Sequence, residues 1–239
     1  MNRIPVKGLI IAVAVITAWL GMLIFLLTRS IAAMPWMVVP GMLAQTFLYT
    51  GMFITAHDAI HGTIVPRKHK LNAAIGRFCL FVYALFPYNA VREKHFMHHQ
   101  FPGREQDPDY HDGRHNGFWR WYSRFMRHYM SWWQIGGMAV IFNVLHHVLH
   151  IPVANLLLFW VAPALTSTLQ LFYFGTFLPH REPTGGYDNP HHARSNNYPV
   201  WLSFLTCFHF GYHWEHHEHP GTPWWRLPDK WRESQAMAE

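Results

Sequence analysis

Charged residues are scarce in this sequence of 239 residues, because Asp, Glu, Lys and Arg together make up only 13% of it. Soluble globular domains carry about 25% charged residues. Hydrophobic residues account for 51% and aromatic residues for 17%, and they are gathered into long runs separated by stretches rich in His and Arg. This segregation is typical of an integral membrane protein with polar loops. The composition therefore excludes an ordinary soluble fold.

Cysteine is nearly absent, which limits the kinds of functional site that the sequence can form. Cys79 and Cys207 are the only two cysteines, so neither a disulfide framework nor a cysteine-type zinc site is expected. A Ser, Cys or Thr placed in a nucleophile elbow is also missing, so we expect no separate protein nucleophile. The formal net charge of +6 is not arranged on a recognisable nucleic-acid module. We therefore expect the basic loops to face membrane lipid and not nucleic acid.

Four uncharged apolar runs predict transmembrane helices at about residues 9–27, 36–56, 132–150 and 153–178. Each run approaches the roughly 20 residues that a helix needs to cross the hydrocarbon core. A fifth run at residues 71–87 is shorter and contains Asn72 and Arg77, so we interpret it as re-entrant or interfacial. The predicted fold is one all-α integral membrane domain over residues 1–239, with four transmembrane helices, this fifth segment and a cytoplasmic cap rich in histidine.

Histidines recur in three clusters with helical spacing, and this spacing suits metal binding. The clusters are His57 and His61, then His95, His98 and His99, and finally His213, His216 and His217. Residues three or four apart lie on the same helix face, where imidazole nitrogens can converge on one ion. These eight histidines exceed the roughly six ligands of an octahedral ion, so two metal ions are predicted. His180, where the last apolar run ends, is a candidate ninth ligand.

The predicted spans also indicate that the clusters meet. Two spans separate His99 from His213, so the second and third clusters lie on the same side of the membrane in either orientation. The first cluster joins them only if residues 71–87 do not cross. In this arrangement Arg29 is the only one of 19 basic residues on the far side, and short loops rich in Lys and Arg stay in the cytoplasm. We therefore expect the site and both termini on the cytoplasmic side, with the bacterial inner membrane as the location.

The remaining histidines are expected to have other roles. Six are interpreted as surface or interfacial residues: His69, His111, His115, His128, His191 and His192. Three more fall on the far side of the membrane and are excluded by position: His146, His147 and His150.

Carboxylates near the clusters are candidates for orienting the ligand imidazoles through their distal N–H groups. They are Asp58, Asp107, Asp109 and Glu215. Spacing alone nevertheless favours a solvated turn for Asp107-Pro-Asp109. His209 and His219, which flank the third cluster, are either similar orienting partners or interfacial residues.

Longer motifs add a family resemblance to these clusters. They are the segments 57–62 (HDAIHG), 107–109 (DPD), 174–181 (FGTFLPHR) and 209–228 (HFGYHWEHHEHPGTPWWRLP). With histidine boxes placed around paired spans, they resemble the integral-membrane fatty acid desaturase and hydroxylase superfamily, and within it the bacterial-type β-carotene ketolases. The resemblance runs from about Ala56 onward, and the last segment is its most specific part. It implies two iron ions as the catalytic centre and O2 as co-substrate.

The resemblance also implies a reaction, namely oxidation of the C4 methylene of a β-ionone ring to a ketone by two hydroxylations and loss of water. β-Carotene would pass through echinenone to canthaxanthin, and zeaxanthin would give astaxanthin, with electrons from a ferredoxin-type donor. Aromatic and aliphatic residues at 81–86, 172–177 and 198–210 would line an apolar substrate channel, or would simply pack against lipid or in the core.

Three alternatives stay open at this point. Two are enzymes with the same metal core, a fatty acyl desaturase or hydroxylase and a carotenoid 3-hydroxylase. The third is a histidine-rich metal carrier without catalysis. The carrier is disfavoured because ion paths are marked by intramembrane ionisable residues, and the predicted spans are nearly free of them.

Overall fold

The computed structural model describes residues 6–238, and every regular element within them is a helix. The helices are α1 (Lys7–Thr28), α2 (Val38–His61), α3 (His69–Ala84), α4 (Tyr88–Gln100), α5 (Phe118–Tyr129), α6 (Trp132–His147), α7 (Val153–His180), α8 (Val200–Cys207), α9 (His213–Glu218) and α10 (Leu227–Ala238). The predicted all-α class is confirmed. The prediction for the two termini concerns residues 1–5 and 239, which lie outside the described residues.

Three helices are long and apolar enough to cross a membrane, namely α1, α2 with the turn before it (Pro35–His61), and α7. The predicted fourth span at residues 132–150 is a shorter helix than predicted, because α6 has 16 residues and ends at His147. Such a helix is about 24 Å long, against roughly 30 Å for the hydrocarbon core. Gln134 donates a hydrogen bond to the Ala84 carbonyl oxygen at 3.3 Å, so α6 begins at the depth where α3 ends. A crossing by α6 stays a prediction.

Helices α3 and α4 form a bent pair that contains the predicted re-entrant run 71–87, and the angle between them is 103°. The Nε2 atoms of His61, before this pair, and His95, within α4, are 2.6 Å apart. The chain therefore leaves one end of the bundle after α2 and returns to the same end in α4. This is the geometry expected of a re-entrant segment.

Helix α2 lies at the centre of the bundle and packs against α1, α3 and α7. The ring centres of Trp19 and Tyr49 are 5.4 Å apart and those of Tyr49 and Tyr83 are 5.3 Å apart, both in edge-to-face contact. Aromatic contacts therefore connect α1, α2 and α3. Such pairs add about 0.5–1.5 kcal/mol beyond their burial. Gly62 follows His61 with a φ of 74°, a left-handed conformation that ends α2 and fixes the position of its last histidine.

The two ends of the bundle are distinct. At one end, the Asn155 amide donates hydrogen bonds to the carbonyl oxygens of Leu26 and Arg29 at 2.9 and 2.8 Å. At the other end, a Cβ on Gly8 would lie 2.2 Å from the Ile64 carbonyl oxygen, so the start of α1 packs tightly against the loop after α2. Arg29 therefore lies at the end of the bundle opposite the histidines of α2.

Candidate metal centre

Nine histidine side chains converge in two groups where α2 ends. The five-histidine group contains His57, His61, His95, His99 and His216. The four-histidine group contains His98, His180, His213 and His217. Within each group the candidate ligand nitrogens lie within 4.8 Å of one another. These nine residues are the ones that the sequence indicates as metal ligands, so the three clusters and the end of α7 do meet.

Two of the three histidine boxes contribute to both groups, whereas His57 and His61 of the first box both belong to the five-histidine group. His95 and His99 of α4 belong to the five-histidine group, whereas His98 between them belongs to the four-histidine group. In α9 the pattern is reversed, because His213 and His217 belong to the four-histidine group and His216 to the other. Residues four apart lie on one face of a helix, and a residue directly next to one of them in the sequence points in a different direction. Helices α4 and α9 therefore join the two groups.

The spacing of the Nε2 atoms fits a metal ion in each group. In the five-histidine group, His216 Nε2 lies 3.1 Å from His57 Nε2 and 3.0 Å from His99 Nε2. In the four-histidine group, the corresponding distances are 3.1 Å for His98–His217 and 2.9 Å for His180–His213. Two nitrogens bonded at about 2.1 Å to one ion and at a right angle lie about 3.0 Å apart. The donor set therefore suits first-row transition metals that imidazole binds.

The protonation state of the α9 histidines also suits metal binding. Burial lowers the pKa values of His213, His216 and His217 well below the ordinary value of an imidazole, and neighbouring imidazoles lower them further. These residues are therefore neutral at pH 7, and the neutral ring is the form that coordinates a metal. Their Nε2 atoms face other Nε2 atoms, an arrangement that a shared cation stabilises.

Two predicted carboxylates contact ligand candidates through the other ring nitrogen. Asp107 lies 3.0 Å from His98 Nδ1 through both of its oxygens, and Asp58 lies 3.2 Å from His57 Nδ1. Contacts of this kind fix the tautomer and orientation of a metal-binding imidazole. The interpretation of Asp107-Pro-Asp109 as a solvated turn is wrong, because Asp107 is only 2% exposed. Burial would raise the pKa of Asp107, but His98 lowers it below its ordinary value overall.

The other predicted orienting residues have different contacts. Asp109 lies 4.0 Å from His98 Nδ1 and accepts a hydrogen bond from the Tyr129 hydroxyl at 2.5 Å. Glu215 makes no hydrogen bond to the nine histidines in the described residues, and its carboxylate instead accepts hydrogen bonds from the hydroxyls of Ser195 and Ser234. His209 is buried and stacks on Tyr212, whereas His219 is exposed, and neither belongs to a histidine group.

The histidines predicted to lie elsewhere stay outside both groups in the described residues. His192 nevertheless contributes its backbone, since its carbonyl oxygen accepts a hydrogen bond from His180 Nδ1 at 2.8 Å. Sequence reasoning missed this role, because a backbone carbonyl carries no residue-type signal. His191 reaches the edge of the four-histidine group, with its ring centre 5.7 Å from that of His217, but its Nε2 bonds Glu218 at 2.9 Å.

An apolar cavity adjoins both groups. Its wall includes His57 and His95 of the five-histidine group, and His98 and His213 of the four-histidine group. The cavity has about 860 Å³ of space free of atoms, including its open mouth. Pockets for small molecules are mostly apolar. The candidate metal centre is therefore next to a space of the right polarity for an apolar substrate.

The predicted channel segments contribute only part of this wall. Segments 81–86, 172–177 and 198–210 supply Tyr83, Phe86, Gly175, Thr176 and Phe210, whereas Phe81 is exposed on the outside. Helix α5 supplies Phe125, Met126 and Tyr129, which sequence reasoning missed. The basic residues of α5 and its exposed Trp119 make the apolar face of this helix hard to recognise in the sequence. That face is anchored by Trp121, which is fully buried.

Comparison with known families supports the same kind of site. The fatty acid desaturase family model matches residues 33–133 and 127–239. These two matches contain all nine histidines of the two groups.

Three named relatives are similar over most of this chain. A β-carotene ketolase of Paracoccus sp. (strain N81106 / MBIC 01143) is 41% identical over 223 residues, covering 92% of this chain and 90% of that protein. A β-carotene ketolase of Haematococcus lacustris is 44% identical over 188 residues, covering 76% of this chain and 58% of that protein. A zeaxanthin 4-ketolase of Chlamydomonas reinhardtii is 38% identical, covering 95% of this chain and 53% of that protein. The chain thus spans little more than half of the Haematococcus and Chlamydomonas relatives.

Proposed function

The chain belongs to the fatty acid desaturase family, among its β-carotene ketolases, and from this premise we propose that it oxidises the C4 methylene of a β-ionone ring to a ketone. The observation that carries the proposal is the convergence of two histidine groups in the wall of one apolar cavity. The similarity to ketolases supports the substrate class, and the cavity supports an apolar ring beside the metal ligands.

The nine histidines would hold two iron ions, which would supply the oxidising power for an allylic C–H bond with O2 as co-substrate. The protein holds the ligand rings in place, with Asp107 on His98 and Asp58 on His57. Its apolar wall excludes water from the ring that is being oxidised. Burial keeps the α9 imidazoles neutral and available as ligands.

The balance of the reaction is that of two hydroxylations at one carbon. Each uses one O2, two electrons and two protons, converts one C–H bond to C–OH, and releases one water. The second gives a geminal diol, which loses water to leave the ketone. We assign the electrons to a ferredoxin-type donor. β-Carotene would give echinenone and then canthaxanthin, and the similarity to a zeaxanthin 4-ketolase supports acceptance of hydroxylated rings to give astaxanthin.

The proposed setting is a membrane from which the carotenoid enters the cavity. Three helices suited to crossing support the membrane location. We further propose that residues 1–239 form one domain in the bacterial inner membrane, that α6 completes a fourth crossing, and that the site faces the cytoplasm. Arg29 is the only basic residue predicted on the far side, and it lies at the end of the bundle opposite the histidines. This supports the orientation, because basic residues collect on the cytoplasmic side.

The test is to express the chain in cells that accumulate β-carotene and to identify the products, with iron measured on the purified active protein. We expect echinenone and canthaxanthin, and two iron ions per chain. Unchanged carotene with altered acyl chains would instead indicate a fatty acyl desaturase or hydroxylase. A ring hydroxylated at C3 would indicate a carotenoid 3-hydroxylase, and either result would overturn the proposal.

A further inference from the structure

Thr176 differs from the other buried threonines in residues 6–238. Thr46, Thr50 and Thr55 each donate a hydrogen bond from the hydroxyl to the carbonyl oxygen four residues earlier. Thr63 donates to the Asp58 carbonyl oxygen. Thr176 is 7% exposed and lies in the cavity wall, and its hydroxyl makes no hydrogen bond within the described residues. Thr176 is therefore a nearly buried residue of the cavity wall, and its hydroxyl has no hydrogen-bond partner among the described residues.

The backbone around Thr176 explains this difference. Thr176 lies in a π-helical turn, Tyr173–Phe177, within α7. A π-helical turn is wider than an α-helical turn and often occurs at functional sites. The wider turn changes the position of the carbonyl group that a threonine hydroxyl reaches in a regular helix.

The same turn lies against the histidine groups. A Cβ on Gly175 would lie 2.4 Å from a ring carbon of Phe210, so α7 and this ring are in close contact. The Phe210 ring centre lies 4.8 Å from that of His57 and 5.1 Å from that of His213. Thr176 is therefore one residue away from the contact that joins α7 to both groups.

Other hydroxyls in the cavity wall already have partners. Tyr83 bonds Ser167, and Tyr129 donates to Asp109. Thr168 donates to the Leu165 carbonyl oxygen at 2.7 Å. Among the described wall residues, Thr176 is thus the hydroxyl that is free to bind a ligand.

Oxidising one carbon twice places a stereochemical demand on the site. The C4 methylene has one hydrogen on each face of the ring, and the first hydroxylation replaces the hydrogen that faces the oxidising centre. The remaining C–H bond points away, so the ring must present its other face for the second step. The hydroxyl then points away from the histidines into an apolar cavity, where an unpaired hydroxyl is unfavourable.

We propose, on the basis of the ketolase function proposed above, that Thr176 is the positioning residue for the half-oxidised ring. Its hydroxyl bonds the C4 hydroxyl of that intermediate and holds the ring with the remaining C–H bond toward the metal centre. Unoxidised β-carotene has no oxygen atom and gains nothing from Thr176. The residue therefore acts on the second oxidation and not on the first.

The experiment compares Thr176→Val, which has the same shape without a hydroxyl, with Thr176→Ser, which keeps the hydroxyl. Both full-length variants are expressed in cells that accumulate β-carotene, and the products with C4 hydroxyl and C4 ketone groups are quantified. We expect the ratio of hydroxyl to ketone to rise roughly 3- to 10-fold in Thr176→Val, as the loss of one hydrogen bond predicts. Thr176→Ser should keep the wild-type ratio, and the ratios are compared at equal β-carotene consumption.

The outcomes separate this proposal from the proposed function. If the wild-type chain forms no product oxidised at C4, the ketolase function itself fails. If the wild type forms the ketone and Thr176→Val has the wild-type ratio, the role of Thr176 is refuted. Should Thr176→Val fail to accumulate in the membrane, the ratio is measured on Thr176→Ala, where an unchanged ratio refutes the role equally. A supplied carotenoid with a C4 hydroxyl gives a second readout, since its KM should rise in Thr176→Val.

Discussion

The five-histidine group and the four-histidine group differ in how firmly the protein holds them. His61 and His99 of the five-histidine group are only partly buried, whereas all members of the four-histidine group are buried. The four-histidine group has Asp107 on His98 and the His192 carbonyl oxygen on His180. In the five-histidine group, Asp58 on His57 is the carboxylate contact that the described residues provide. The four-histidine group therefore relies on orienting contacts, and the five-histidine group relies on a larger number of candidate ligands.

This difference predicts unequal tolerance to mutation. A centre with four imidazoles loses a quarter of its ligands with one substitution, and its buried partners are left without a hydrogen-bonding group. A centre with five imidazoles keeps four. Helices α4 and α9 contribute to both groups, but each histidine belongs to only one group. A single substitution therefore removes a candidate ligand from one group at a time.

The largest effect is expected from His98→Ala and His216→Ala, one in each group. Each substitution removes an Nε2 atom that lies within 3.1 Å of other ligand candidates. Ketone formation should fall more than about 100-fold in both, because changes in outer-shell partners alone cost 10- to 100-fold. Iron content should fall further in His98→Ala. Product analysis, iron analysis and the amount of chain in the membrane are the measurements, and near-normal turnover in both variants would refute the ligand assignment.

The fold could be predicted where uncharged runs set the length of a helix. The runs 9–27 and 153–178 correspond to Lys7–Thr28 and Val153–His180. The start of α6 at Trp132 agrees with the predicted run 132–150, whereas its end at His147 comes three residues earlier than hydropathy places it. Hydropathy also ends the second run at Ala56, although α2 continues through His61. Its last turn is stabilised by packing with other helices, which local sequence does not reveal.

The members of the candidate site could be predicted from spacing, but their arrangement could not. Helical periodicity places His57 beside His61 and His213 beside His217. The partition into two groups depends on how α2, α4, α7 and α9 are oriented relative to one another, and this is set by tertiary contacts. The burial of Asp107 follows from the packing of the loop before α5, where the Trp121 indole donates to the Asp109 carbonyl oxygen at 2.7 Å. A three-residue motif carries no information on that packing.

A smaller effect is expected when an orienting contact is removed and the ligands stay. Asp107→Asn keeps the size of the side chain but removes a charge that contacts His98 Nδ1 through two oxygens. Metal affinity of the four-histidine group should fall about 10- to 100-fold. Asp58→Asn is the matched change on the five-histidine group, and we expect it to have the weaker effect because its contact with His57 is longer, at 3.2 Å. Iron retention during chelator titration measures both, and equal losses would contradict the contrast between the groups.

Gly175→Ala should disturb both groups together, and less severely. The added methyl group would lie 2.4 and 2.6 Å from ring carbons of Phe210, whose ring contacts His57 and His213. Overpacking of this kind costs about 1–3 kcal/mol. We expect a lower thermal unfolding midpoint and a turnover reduced by about 10-fold, in line with that range. Gly136→Ala is the matched control, because nothing lies within 4 Å of its Cβ position. A Gly175→Ala variant as stable and active as this control would show that Phe210 moves freely.

The smallest effect is expected from His191→Ala, which tests the boundary of the four-histidine group. The His191 ring lies 5.7 Å from that of His217, but its Nε2 is paired with Glu218 at 2.9 Å. Glu218 is exposed, and surface ion pairs contribute about 0–1 kcal/mol. Turnover and iron content should therefore stay within about 2-fold of wild type, a change of roughly 0.4 kcal/mol. His217→Ala, measured in parallel, should lose iron. If the two variants lost iron equally, His191 would be a fifth ligand, and the contrast in ligand number between the two groups would disappear.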